Sequence, residues 1–201
     1  MNYSTLFLFH RKKIVLSAAV GLAIFLIASI FLPWEYSATS RLLVIPSSSL
    51  GVDPYTAIKS AERISENLAQ VVHTSSFFDR VTKTQQQFGF DPTIFSNLSE
   101  NNRRNAWAKE VITEVVPGTG FFNIKVYNKD KDQAVNWDSA ISFVLSNQGF
   151  DYLPSNFGQI KIVDTPLASR FFARPNFLML GVLGAVVGGL LGAAYVLFKY
   201  E

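Results

Sequence analysis

Two stretches free of charged residues stand near the two ends of this chain and limit what it can fold into. From Ile14 to Leu32 the run IVLSAAVGLAIFLIASIFL has 19 residues without a charge, and from Phe177 to Phe198 the run FLMLGVLGAVVGGLLGAAYVLF has 22. As a helix rising about 1.5 Å per residue the first covers roughly 28 Å, close to the thickness of a bilayer's hydrocarbon core. The second is long enough to span with some tilt. Pro33 and Trp34 close the first run, and Arg174 and Pro175 open the second, where a proline at a helix start forfeits no hydrogen bond. The expected layout is a span over 14–33, a domain over 34–176 and a second span over 177–198. A cleaved signal peptide fits the first run less well, because such peptides carry an apolar stretch of only about 7 to 15 residues. The one small-residue site nearby, Ala38 to Ser40, also interrupts a strand pattern.

Charge then orients the chain. Charged residues make up 16% of the sequence, against roughly 25% in soluble domains. The deficit lies in the two ends, which hold only Arg11, Lys12, Lys13, Lys199 and Glu201; residues 34–176 carry 14 charges of each sign. The formal +3 therefore describes the flanks, and a nucleic-acid binder working through a broad basic face is excluded. With no cysteine, so are a disulfide scaffold, a thiolate enzyme and a cysteine-ligated metal site. Arg11, Lys12 and Lys13, beside His10, place residues 1–13 on the cytoplasmic side. Two spans return residues 199–201 to that side as a short stub and leave the central domain outside, against the minor countersignal of Arg170 and Arg174.

Between the spans the hydrophobic period alternates. Ser37 to Pro46 reads as a strand, followed by a polar break from Ser47 to Gly51. Asp53-Pro54 opens a helix with apolar positions at Ile58, Ala61, Ile64, Leu68, Val71 and Val72. Thr74 to Phe88 reads as a second helical piece ending at Gly89, Asp91 to Asn97 as a loop, and Asn102 to Lys109 as a short helix. Val111 to Val116 and Phe121 to Tyr127 flank the turn Pro117-Gly118-Thr119-Gly120, a hairpin signal. Asp130 or Asp132 caps the next helix, with Ala134, Trp137, Ile141, Val144 and Leu145 on one face, and Gln159 to Asp164 is a last strand. The expected fold class is α/β or α+β with a mixed four-stranded sheet, flanked by two transmembrane helices.

Catalytic chemistry needs a converging set of groups, and none is visible. His73 beside Thr74, Ser75 and Ser76, with Asp79 behind, lies on one helix end, where a nucleophile and its base do not converge. Glu62 and Glu66 share a face with Lys59, Arg63 and Gln70, as a wetted helix surface does. Asp130-Lys131-Asp132 lacks the later glycine and glutamate of a calcium loop. No GxxxxGK[ST] occurs. Arg103-Arg104 reads as an exposed basic pair, with an anionic glycan or lipid phosphate as the alternative. Asn97-Leu98-Ser99 is a formal glycosylation acceptor. The chain is read as a non-enzyme with no catalytic residue, no metal site and no cofactor.

The sharpest local pattern lies in the second span. Gly184, Gly188 and Gly192 recur every four residues beside a second small row, Ala185, Gly189 and Ala193, with Gly181 one turn earlier. Such rows let two helices approach closely in lipid, where packing drives association. The partner is either the first span, with Ser17, Gly21 and Ala28, or a neighbouring copy.

The layout resembles the Wzz-type polysaccharide co-polymerases, the bacterial regulators of chain length in O-antigen, capsule and exopolysaccharide synthesis. The resemblance runs from the basic cluster through Trp34-Glu35-Tyr36-Ser37-Ala38 into Leu42-Leu43-Val44. It continues through the helix Ala61 to Val81 with Ser75, Phe78 and Val81, and through Phe122 to Val126 with Asp132 and Ala134. Val163-Asp164 with Pro166 and Ala168, and the Gly-rich second span, complete it. The domain has no room for the long protruding helix of the large members, and no kinase domain follows Phe198, so the chain is similar to a small form. The resemblance implies a protein of the bacterial plasma (inner) membrane, also concerned with lipopolysaccharide, that forms a ring-like homo-oligomer. Its implied partners are membrane lipid and a polysaccharide polymerase or export machine, with no nucleic acid. The alternatives are an adaptor for a separate cytoplasmic tyrosine kinase and a two-span sensor or accessory subunit.

Overall fold

The computed structural model describes residues 9–47, 53–152 and 158–200. In chain order the elements are α1 (Arg11–Ile30), β1 (Tyr36–Pro46), α2 (Pro54–Val71), α3 (Ser75–Thr82), α4 (Gln85–Phe88), α5 (Thr93–Ser96), α6 (Glu100–Glu110), β2 (Val111–Val115), β3 (Phe121–Asn128), α7 (Lys131–Gln148), a 3-10 turn (Gly149–Tyr152), β4 (Gly158–Ala168) and α8 (Phe177–Tyr200). Beyond Ser47, the polar break read at Ser47 to Gly51 lies outside the described residues. Two compact units result, a helical pair from the chain ends and a domain from Glu35 to Phe172.

In the helical pair, α1 and α8 are both long and apolar enough to cross a membrane. Ser29 is the one buried residue of α1, while Val15, Leu16, Ile24, Ile27 and Ile30 turn outward. That exposure is the reverse of a soluble core helix and suits a hydrocarbon solvent.

The domain is built on a sheet of order β2-β3-β1-β4. A mixed sheet was expected, but all three pairings are antiparallel. The physical reason is an insertion. β3 and β4 run in the same direction, joined through α7, and β1 lies between them and pairs antiparallel with both. The β-α-β-β-α-β order thus makes two interleaved split βαβ units, the ferredoxin-like arrangement.

Burial follows strand alternation. Ala38, Ser40, Leu42 and Val44 of β1, with Phe122, Ile124 and Val126 of β3, face α2 and α7, whereas Thr39 and Arg41 stand exposed on the other face. Asp53 caps α2 by accepting from the backbone N–H groups of Tyr55 and Thr56, and Asp130, the nearer of the two candidates, caps α7 through Asp132 and Gln133. Further differences from the sequence reading are local. The single helical piece over Thr74 to Phe88 is two helices, α3 and α4, separated at Lys83 and Thr84, and it ends at Gly89 in the left-handed region (φ 69°). The segment Asp91 to Asn97, expected as loop, contains the one-turn α5 around buried Phe95. β4 runs on past Asp164 to Ala168, because Pro166 sits on an edge strand, where a missing N–H costs no ladder bond.

Phe78, Phe90, Phe95, Trp107 and Trp137 form an aromatic cluster drawn from α3, α5, α6, α7 and the α4–α5 connection. Their rings pack mostly edge to face, with centroids 5.5 Å apart for Trp107–Trp137 and 5.1 Å for Phe78–Trp107. The Trp107 indole N–H donates to the Val72 carbonyl at 2.8 Å, pinning α6 to the end of α2.

Candidate functional site

Within the helical pair the glycine row of α8 faces α1. A Cβ at Gly184 would lie 2.6 Å from the Gly21 carbonyl oxygen, and one at Gly192 would lie 2.7 Å from Ser17 Cβ. At Gly188 a Cβ would meet the Ser17 carbonyl and stand 3.0 Å from the Gly21 Cα. Backbones this close exclude any larger side chain. The Ser17 hydroxyl donates to the Gly188 carbonyl at 2.6 Å. Gly181 and Gly189 are less crowded: a Cβ would be 3.6 Å from Leu26 Cδ2 at the first and 3.7 Å from Ala18 Cβ at the second, ordinary contact distances. Of the two candidate partners for this face, the contacts are with the first span; Ala28 is not among the atoms that meet these glycines.

Arg11, Lys12 and Lys13 form the first turn of α1 and are exposed. Pro33 follows that helix, and Pro175, two residues ahead of α8, has a cis peptide bond with Arg174.

In the domain the polar groups weighed from sequence have structural occupations. His73 Nε2 lies 3.2 Å from the Thr113 hydroxyl, and burial, which disfavours the charged ring, lowers its pKa. Ser75 bonds Glu100 and Arg104, not His73, and Asp79 is 3.8 Å from Arg103. Glu62 pairs with Lys59 and accepts from the Gly118 N–H at 3.1 Å, so it ties α2 to the hairpin tip, where Gly118 has φ 71°. Hydrogen bonds from Lys59 and from that N–H lower its pKa. Arg103 and Arg104 both engage Glu100. Asn97 is exposed directly after α5.

Two features escaped the sequence reading. The first is a fully buried polar cluster. Asp138 Oδ1 accepts from the Ser40 hydroxyl at 2.6 Å, and Ser142 Oγ is 2.8 Å from Ser40 Oγ. Among the described residues Asp138 Oδ2 has no hydrogen-bond partner, and burial pushes the carboxyl pKa up to about 7. The signal was present, since Asp138 falls four residues after Ala134 on the apolar stripe of α7 and Ser40 has the inward parity of Leu42.

The second is a cavity of about 320 Å³ at the end of the sheet where β1 begins and β3 ends. Trp107, Trp137 and Phe95 give it apolar walls, and Glu35, Glu110 and Asp130 bring carboxylates to it, with Asn128 and Lys129 alongside. Its residues come from five separate stretches of chain, which is why no local motif marks it.

No protein-family model matches the sequence, and no curated protein matches it significantly.

Proposed function

We propose that the chain is a small polysaccharide co-polymerase, a non-catalytic membrane protein that regulates chain length or export in O-antigen, capsule or exopolysaccharide synthesis. One observation carries the reading: two apolar terminal helices packed through a glycine face, with a single α/β domain strung between them. The resemblance set out above supplies the rest, including a ring-like homo-oligomer in the bacterial inner membrane that abuts a polymerase or export machine.

The placement of Arg11, Lys12 and Lys13 supports cytoplasmic termini. Cations in the first turn oppose the helix dipole, by about 0.3–1 kcal/mol each at an exposed site. Helix stability therefore does not account for them, whereas retention of positive charge on the cytoplasmic side does.

The decisive experiment is the length distribution of surface polysaccharide after deletion of the gene. A broadened or shifted distribution, restored by the wild-type chain, is the expected outcome. An unaltered distribution sinks the reading.

A further inference from the structure

The stretch that carries the chain from β4 toward α8 has an exposure that the domain's own packing does not account for. Leu167 is 78% and Phe171 76% exposed, the two most exposed large apolar side chains of the domain among the described residues. Single exposed apolar side chains are ordinary on a wetted surface, but here the two extreme cases stand four residues apart, with Phe172 beside them at 39%. Fraying is not the cause. The Ser169 N–H donates to the Ser37 carbonyl at 2.6 Å, the Ser37 N–H donates to the Ser169 hydroxyl at 3.0 Å, and the Phe172 and Tyr36 ring centroids are 4.5 Å apart. The backbone is pinned to the start of β1 while Leu167 and Phe171 face solvent.

Chain length and charge restrict what covers them. Residues 31–35 join α1 to β1, and residues 173–176 join Phe172 to α8. At about 3.6 Å per residue at most, the second connector reaches only about 14 Å. Both exits from the domain leave this one edge, so with α1 and α8 across a bilayer the short connectors keep it beside the lipid surface. From Thr165 to Asn176 the chain holds two cations, Arg170 and Arg174, and no acid, while Glu35 at the other exit is buried. On the topology proposed above these cations lie on the non-cytoplasmic flank, where orientation gives no reason for them. Arg170 is exposed, with its guanidinium 6.0 Å from the centroid of the Phe171 ring. An aromatic ring beside a phosphate-binding cation suits the layer between hydrocarbon and water. A second copy meeting this edge about a two-fold axis would instead bring Arg170 toward its own equivalent, a costly like-charge contact.

We propose that the edge from Leu167 to Phe172 is a membrane-docking surface: Leu167 and Phe171 enter the lipid head-group layer and Arg170 binds lipid phosphate, so that the domain rests on the bilayer. The proposal rests on the membrane-spanning reading of α1 and α8 and is independent of the polysaccharide reading.

The test uses the full chain in vesicles of equal parts phosphatidylcholine and phosphatidylglycerol. Because the native chain has no cysteine, a spin label on Leu167→Cys reports alone. Its collision rates with oxygen, which concentrates in lipid, and with a nickel chelate, which stays in water, give its depth. Labels on Tyr55→Cys, exposed in the first turn of α2, and on Leu190→Cys, exposed in the middle of α8, calibrate water and hydrocarbon. The oxygen-to-nickel ratio at position 167 should lie between those two and clearly above that at position 55. In the labelled chain, Phe171→Ser should shift the balance from immersed to lifted edge by about tenfold or more, and Arg170→Glu by about fivefold or more, whereas Arg170→Lys should stay near the parent. Near-UV circular dichroism verifies that each variant is folded. The proposal is overturned if position 167 matches position 55, or if either Phe171→Ser or Arg170→Glu leaves the ratio at the parent's value. It is also overturned if position 167 is shielded from both agents with spin–spin broadening that disappears on dilution with unlabelled chain, which assigns the edge to a second copy. A water-like ratio at position 190 removes the spanning reading and the proposal with it. A lipid-like ratio there with a water-like one at position 167 removes the docking surface alone.

Discussion

The helical pair and the central domain solve the same problem, holding two surfaces together, with opposite kinds of residue. The pair uses the smallest side chains available: Gly184, Gly188 and Gly192 on α8 against Ser17 and Gly21 on α1. The domain uses the largest, with Trp107, Trp137, Phe77 and Phe90 buried at 2% exposure or less. In water, removing a large apolar side chain from solvent is itself the driving force, at about 25 cal/mol per Å². In hydrocarbon that gain vanishes, and close approach of backbones is what remains. A glycine is thus worth most in one unit and a tryptophan in the other.

The sharpest way to break this contrast is to exchange the currencies and watch whether each unit responds alone. Trp107→Ala removes a buried ring and the bond to the Val72 carbonyl, and should cost the domain about 3–5 kcal/mol, read as a lowered denaturation midpoint by near-UV circular dichroism. Gly188→Leu should do the converse. The native chain has no cysteine, and the Ala18 and Gly189 Cβ positions lie 3.7 Å apart, close to disulfide spacing. An A18C/G189C pair should therefore cross-link in membranes, and Gly188→Leu should abolish cross-linking while leaving the domain's transition in place. Cross-linking that survives Gly188→Leu would mean that the glycine row does not hold the pair.

Asp138 gives a smaller, pH-dependent effect confined to the domain. Its pKa in the folded protein is about 7, above the 3.8 of a free side chain, so the folded state keeps a proton that the unfolded chain releases. The stability it allows is full below about pH 3.8, falls as pH rises toward about 7 and then levels off. Asp138→Asn, neutral throughout, should be about 1–3 kcal/mol more stable than the parent near pH 8 and similar near pH 4. A parent stability that rises between those two pH values in proportion to the variant's would contradict the assignment. The smallest effect is Ser17→Ala, which loses one interhelical hydrogen bond and should weaken the cross-linked geometry by about 0.6 kcal/mol, measured as a modest fall in cross-linking rate.

The elements legible in the sequence were those with long, clean periods or explicit punctuation. Asp53-Pro54 announced α2, Pro117 to Gly120 announced the hairpin, and the stripe from Ala134 to Leu145 announced α7. The break between α3 and α4 was not legible, because Lys83 and Thr84 carry no glycine or proline to mark it. The one-turn α5 was equally hidden, since its single anchor, Phe95, acquires meaning only from Trp107 and Trp137 beside it. Of the candidate site, the glycine row could be read, and its partner only as one of two alternatives, the first span or a neighbouring copy: Ser17 and Gly21 lie more than 160 residues away in the chain, and no spacing selects them over a second copy.

The sequence by itself determined two apolar helices at the ends, a charged and patterned domain between them, and the positive flank at Arg11 to Lys13. These are one-dimensional properties, set by run length, period and charge. Only the tertiary structure decided that β1 inserts between β3 and β4, that Asp138 meets Ser40 and Ser142 beneath the sheet, and that Glu35, Glu110 and Trp137 share one cavity. Each of these depends on strand order and on contacts between residues far apart in the chain, and a spacing along one chain does not encode which distant segment arrives opposite it.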